Sequence, residues 1–164
     1  MHGACRAVPC GAGGAGNLGP MAARTKARKR ALDILFEADQ RGENIIDVLE
    51  SRIAASGRET PLPEYSQQIV RGVGQRWLEI NALLQEASPE WTLARMPAVD
   101  RAILRIGAWE ILSNSEVATA VAIDEAVELA RDLSTHDSPG FINGILGTIA
   151  RDAPALPSAD APGE

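Results

Sequence analysis

Four sets of residues in this chain have the types and spacing that chemistry could use. Gly11-Ala12-Gly13-Gly14-Ala15-Gly16 satisfies the G-x-G-x-x-G pattern of phosphate-cradling loops. That loop needs a strand before it and a helix opening on its third glycine. Neither is legible here, so the run reads as low-complexity sequence. His2, Cys5 and Cys10 are metal-ligating types, but no fourth ligand lies near them and nothing around them can build a core. His136 is the one histidine of the remaining chain. Beside Asp137 it reads as a loop or cap residue, because no Ser/His/Asp or Cys/His set can be assembled around it. No catalysis, metal or cofactor is expected. The fourth set is Arg24-Thr25-Lys26-Ala27-Arg28-Lys29-Arg30, and its chemistry is that of a phosphate-binding arm.

Charge makes the arm stand out. Residues 1–30 carry six Lys/Arg and no acid, whereas residues 31–164 carry ten Lys/Arg against twenty-two Asp/Glu. An acidic globule with one basic segment points to a polyanion held at one place. Positive charge is also unfavourable at a helix N-terminus, where the macrodipole already supplies partial positive charge. A polyanion would compensate that arrangement, and basic arms commonly order on RNA.

The elements that must position this arm read as helices. Residues 1–20 are expected to be a disordered leader, with Met21 suited to be a start residue. Residues 21–152 form the helical domain, and residues 153–164, rich in Pro and Ala, form a disordered tail. The first helix spans about Arg24–Arg41 and stops at Gly42. Ala27, Ala31, Leu35 and Ala38 centre its apolar face, widened by Leu32 and Ile34. Arg24 and Arg28 fall on that same side, which predicts a basic first turn projecting beyond the core. A second helix over about Ile45–Ala55 is capped by Asn44, and a long third runs over Glu64–Ala87. Pro97 opens a segment, Ala98–Leu112, that is apolar on nearly every side and so belongs at the centre of a bundle. Ile123, Ala126, Val127, Ala130 and Leu133 stripe the next helix. Ser138-Pro139 opens the last, which presents Phe141, Ile142, Ile145, Leu146 and Ile149. No segment alternates as a strand does, so the fold class is all-α, a bundle of about six to seven helices. No apolar run reaches the ~18 residues of a membrane span, so no membrane partner is expected. The two cysteines lie outside this body, which suits a reducing cytoplasm.

In this order the segments resemble a known family. Ala27-Arg28-Lys29-Arg30-Ala31-Leu32-Asp33-Ile34-Leu35-Phe36-Glu37-Ala38 is similar to the arginine-rich first helix of the NusB family of bacterial transcription antitermination factors. Pro97-Ala98-Val99-Asp100-Arg101-Ala102-Ile103-Leu104-Arg105-Ile106-Gly107-Ala108-Trp109-Glu110 resembles its central helix. Val121–Ala130 and Asp137-Ser138-Pro139-Gly140-Phe141-Ile142-Asn143-Gly144-Ile145-Leu146 are similar to its C-terminal signatures. The match covers about Arg24–Arg151.

The resemblance implies two packed helical subdomains and a non-enzymatic adaptor. Such an adaptor binds the boxA element of nascent RNA with the ribosomal small-subunit protein that doubles as NusE. The complex joins elongating RNA polymerase and other Nus factors and opposes premature termination, notably in ribosomal RNA operons. RNA contacts carry over onto Arg24, Lys26, Arg28, Lys29, Arg30, Asp137 and Phe141. Phe36 and Asp100 align with the protein-partner side. Gly140 and Gly147 depart from the Lys and Asp often found there, which predicts weaker RNA affinity at that end. Phe141 has two readings: core filler in step with Ile145, or a stacking platform for an unpaired base. Two other functional classes fit the same helices. One is a module linked to a ribosomal RNA methyltransferase, although no catalytic segment is legible after Arg151. The other is a helical homodimer without an RNA role.

Overall fold

The computed structural model describes residues 19–55 and 61–153, and every regular element among them is helical. The leader's glycine pattern, His2 and both cysteines lie outside the described residues, as does the tail after Ala153. The elements are α1 (Pro20–Arg41), α2 (Ile45–Ala55), α3 (Glu64–Gln75), α4 (Trp77–Ala87), a single 3-10 turn (Leu93–Arg95), α5 (Ala98–Ser113), α6 (Thr119–Leu133) and α7 (Ser138–Asp152). Helices α1, α2 and α3 pack on one another, and α4, α6 and α7 gather around α5, which also touches α1 and α3.

The expected central helix is central. From Ala102 to Leu112 every residue of α5 is buried. A helix covered on all sides cannot send its charged residues to water. Asp100, Arg105 and Glu110, at 1%, 8% and 1% exposure, must therefore be satisfied by three different neighbours.

Local signals account for the helix ends. Gly42 stops α1 in the left-handed region at φ 65°, and the Glu43 N–H closes onto the Ala38 carbonyl at 2.9 Å. Asn44 Oδ1 accepts the Ile46 N–H at 2.8 Å, so α2 starts where its cap predicts. At its other end α1 begins at Pro20 rather than near Arg24, with the Ala23 N–H bonded to the Gly19 carbonyl at 3.0 Å.

Two expectations need correction. The long third helix is broken at Arg76, which leaves helical geometry at φ −111° and ψ 25°. Its guanidinium reaches across to the Leu112 carbonyl at 3.1 Å and Ser113 Oγ at 2.7 Å at the end of α5. Gly72 and Gly74 weaken the turns before the break, while the apolar phase of Ile69, Val73, Ile80 and Leu84 carries through it. In α6 the buried residues are Ala122, Ala126, Leu129 and Ala130, and Leu133 is 48% exposed. The true stripe is rotated towards the alanines, because small side chains let α6 approach α5 and α7 closely.

Gly72 marks the closest approach. A Cβ there would lie 1.9 Å from the Trp109 Nε1, whereas a Cβ at Gly144 in α7 would meet nothing within 4 Å. Gly72→Ala should therefore destabilise the fold by about 1–3 kcal/mol through overpacking. Gly144→Ala should stabilise it by about 0.5–1 kcal/mol through helix propensity. Urea unfolding of both variants checks the pair, and equal effects would refute the close-contact reading of Gly72.

Candidate nucleic-acid interface

The basic segment of α1 has two sides, and the fold uses them differently. Arg28, expected among the phosphate contacts, is turned inward and is 2% exposed. Its Nε donates to Glu110 Oε1 at 2.8 Å, and its Nη1 lies 3.6 Å from Glu125 Oε2. The Tyr65 hydroxyl donates to the same Glu110 oxygen and accepts from Asn114 Nδ2 at 3.0 Å. Burial, and then the Glu110 carboxylate beside it, push the Tyr65 phenol well above its ordinary range, so it stays a donor. Arg24 and Arg28 both flank the Tyr65 ring, at 5.4 and 5.8 Å from its centroid. The first turn does stand out, with Met21, Ala22 and Ala23 exposed, but the two arginines expected to project with it are drawn against the protein instead. A buried Arg on that face instead required a buried carboxylate, and Glu110 is the one α5 offers.

Carboxylates of the α6 side meet the arm in matching order. Arg24 Nη2 lies 3.0 Å from Glu116 Oε2, Thr25 Oγ1 donates to Glu125 Oε2 at 3.0 Å, and Lys29 Nζ lies 3.8 Å from Asp132 Oδ2. Part of the compensation sought for a basic helix start is therefore internal. The remaining cations face outward. Lys26 and Lys29 are exposed and Arg30 is half-buried. Among the described residues neither Lys26 nor Arg30 has an ion pair, and the Lys29–Asp132 pair is long and exposed on both sides, so it holds little.

Lys29 leads to the second part of the site. Asp132 lies in the last turn of α6, and the chain then turns through Ser134–Asp137 into α7. Asp137 is exposed there. Asp100, expected on the partner side, is enclosed at 1% exposure. Its carboxylate accepts from Ser134 Oγ and, at 2.9 Å, from Ser138 Oγ. Its place is inside the protein, tying this turn to the first turn of α5. Phe141 is half-buried, with its ring centroid 5.0 Å from that of Trp91 in an edge contact at 60°. Both of its readings thus keep a physical basis: the ring packs, and part of it reaches solvent. Trp91, Tyr65, Glu110 and Glu125 were not singled out from the sequence. The available signal was the pairing of Arg28 on an apolar face with Glu110 in a helix lacking a polar one.

Phe36 remains open at 38% exposure. It borders a concavity of about 430 Å³ with Asp33, Glu37 and Arg52. Among the described residues no helix is long and apolar enough to cross a membrane, and no cluster of His, Cys, Asp and Glu could hold a metal ion.

The family model of the NusB family matches residues 25–151. The chain is 52% identical over 149 residues to the transcription antitermination protein NusB of Beutenbergia cavernae, covering 86% of this chain and 97% of that one. It is 51% identical over 136 residues to the protein of the same name from Nocardioides sp., covering 83% and 99%. Among solved structures, T. maritima NusB superposes with a TM-score of 0.70 at 30% identity, covering 79% of this chain and 92% of that one. A crystal structure of antitermination factors NusB and NusE in complex with double-stranded RNA is alike in fold, with a TM-score of 0.68 at 22% identity over 79% of this chain and 96% of that one. With the family model spanning most of the helical body and close relatives matched over nearly their whole length, this chain belongs to the NusB family.

Proposed function

We propose that this chain is an antitermination adaptor that holds the boxA element of nascent RNA as a single strand. It does so jointly with the ribosomal small-subunit protein that doubles as NusE, on RNA polymerase elongating through ribosomal RNA operons. The observation that carries this reading is the sorting of the α1 cations. Arg28 anchors the helix through Glu110, Lys26, Lys29 and Arg30 are left on the outer side, and Lys29 reaches Asp132 just before the turn that bears Asp137. A helix pinned from beneath presents its outer charges in fixed positions, so less order must be imposed when RNA binds.

In this reading phosphates are held by Lys26, Lys29 and Arg30, with Arg24 at the margin because Glu116 competes for it. Phosphate contacts position the strand, and base identity is read at the turn by polar groups and the exposed part of the Phe141 ring. The exposed ring of Phe36 is the anchor offered to the protein partner, an aromatic bordered by charged residues. The Glu110 carboxylate takes part only by positioning Arg28 and Tyr65.

Three solvent-facing cations predict that log K for boxA RNA falls with log salt at a slope of about −2, at ~0.7 per single-strand contact. Lys26→Ala with Arg30→Ala should flatten that slope by about 1.4 while the helical circular dichroism stays unchanged. Arg28→Ala should behave in the opposite way. It strands Glu110 in the interior and should cost roughly 3–5 kcal/mol of stability. Filter binding over a salt series, paired with thermal melts, distinguishes the two variants. A slope unchanged in the double variant would remove α1 as the RNA site.

Phe141→Leu separates packing from base reading. A stacking role predicts boxA binding weakened by about 1–3 kcal/mol with a mismatched RNA little affected. If the variant melts early and binds boxA normally, the ring serves Trp91 and the core alone.

A further inference from the structure

Arg105 is answered by the protein only in part. It lies in the middle of α5 at 8% exposure. Its Nε donates to Asn81 Oδ1 at 3.0 Å, and its guanidinium carbon sits 4.3 Å from the centroid of the Trp77 ring. Its two terminal nitrogens have no hydrogen-bond partner among the described residues, and no carboxylate there forms an ion pair with it. The acidic group that acts on it is Asp39. Asp39 Oδ2 already accepts from Nε and Nη2 of Arg101, at 3.2 and 2.6 Å. Two guanidinium groups thus draw on one carboxylate, which leaves the terminal nitrogens of Arg105 without a protein acceptor. Burial, and also Arg101, push Arg105 down to about 10 against the opposing pull of Asp39. Among the described residues no fully buried side-chain nitrogen or oxygen lacks a partner, so the open nitrogens of Arg105 are within reach of solvent and of a ligand's acceptor.

That charge borders an open cavity of about 570 Å³, a size suited to a small organic ligand. The cavity wall is apolar where Leu35 and Ala38 of α1 and Ile45 and Ile46 of α2 form it, and Trp77 supplies an aromatic side. The first turn of α2 opens here as well, bringing the positive end of a helix that Asp47 in the same turn partly offsets. Asp39 and Glu43 border the same space and penalise a second negative charge. What is missing is one acceptor for the terminal nitrogens of Arg105, and the two nearby carboxylates disfavour a doubly charged ligand.

We propose that this cavity is a binding site for a small monocarboxylate with an apolar or aromatic body. Its carboxylate pairs with the terminal nitrogens of Arg105, and its body lies against Trp77 and the aliphatic side chains of α1 and α2. A peptide C-terminus offers the same carboxylate chemistry, so the test includes both sources.

The full chain, ¹⁵N-labelled, is titrated with phenylacetate, phenylacetamide and phenyl phosphate, and with the dipeptide Ala-Phe and its C-terminal amide. The readout is the Trp77 indole N–H signal, assigned by its loss in Trp77→Phe. Phenylacetate should shift it saturably, with phenylacetamide and phenyl phosphate at least about ten-fold weaker. Arg105→Gln should abolish the phenylacetate response. Because that variant alters a buried residue, Glu43→Gln at the exposed rim provides a second test: it should raise the affinity for phenyl phosphate relative to phenylacetate by about three-fold or more. Equal binding of acid and amide, tighter binding of phenyl phosphate, no saturable shift, or an unchanged preference in Glu43→Gln would each overturn the proposal. Saturation by Ala-Phe without any by phenylacetate would overturn it in favour of a peptide terminus.

Discussion

The burial of α5 on every side is the constraint from which the rest of the molecule follows. A helix with no polar face can carry charge only where a neighbour answers it from within. Asp100 is answered by the hydroxyls of Ser134 and Ser138, Arg105 by Asn81 and the face of Trp77, and Glu110 by Arg28 and Tyr65. Each link sets one neighbour in place. The first fixes the turn between α6 and α7, the second fixes α4, and the third fixes α1 and α3. The apolar contacts supply most of the cohesion, but they are non-directional. The three polar links supply direction, since only one arrangement of the helices satisfies them together.

The arm of α1 shows what such a link makes possible. Seven consecutive residues hold five cations, yet they do not form one charge cloud. The helical period turns Arg28 into the core, sets Arg24 against Glu116, and leaves Lys26, Lys29 and Arg30 outside. The inward arginine converts a segment that electrostatics would loosen into a seated helix. The acids met along α6 ease the repulsion among the remaining charges. Anchoring and exposure are thereby divided among residues of one charge only a few places apart.

The fold was largely legible because its signals are local. The period of α1, the glycine stop at Gly42, the Asn44 cap and the featureless apolarity of α5 each name their element without knowledge of any other. The break at Arg76 was hidden because the apolar phase runs through it, and its cause lies at the far end of α5. The rotated stripe of α6 was hidden because Val127 and Leu133 outweigh alanines on any hydrophobicity count, although close packing favours the alanines. At the candidate site, charge composition located the arm but could not sort it. Whether Arg28 faces solvent or Glu110 depends on a pairing across 82 residues. The resemblance set Asp100 on the partner side, and its enclosure was hidden for the same reason, since the serines that hold it come 34 and 38 residues later.

That long separation has a consequence during synthesis. The ribosome makes α1 before Tyr65 and Glu110, which hold Arg28, and before Glu125, which receives Thr25. Until they emerge, the cations of α1 have no interior partner and no fixed facing. At roughly 5–20 residues per second, that interval lasts several seconds. The nascent α1 segment is therefore an unsorted basic peptide, available to any polyanion nearby, ribosomal RNA included. The division between Arg28 and its outward neighbours arises only when the chain is almost complete, so this early segment is among the last to settle.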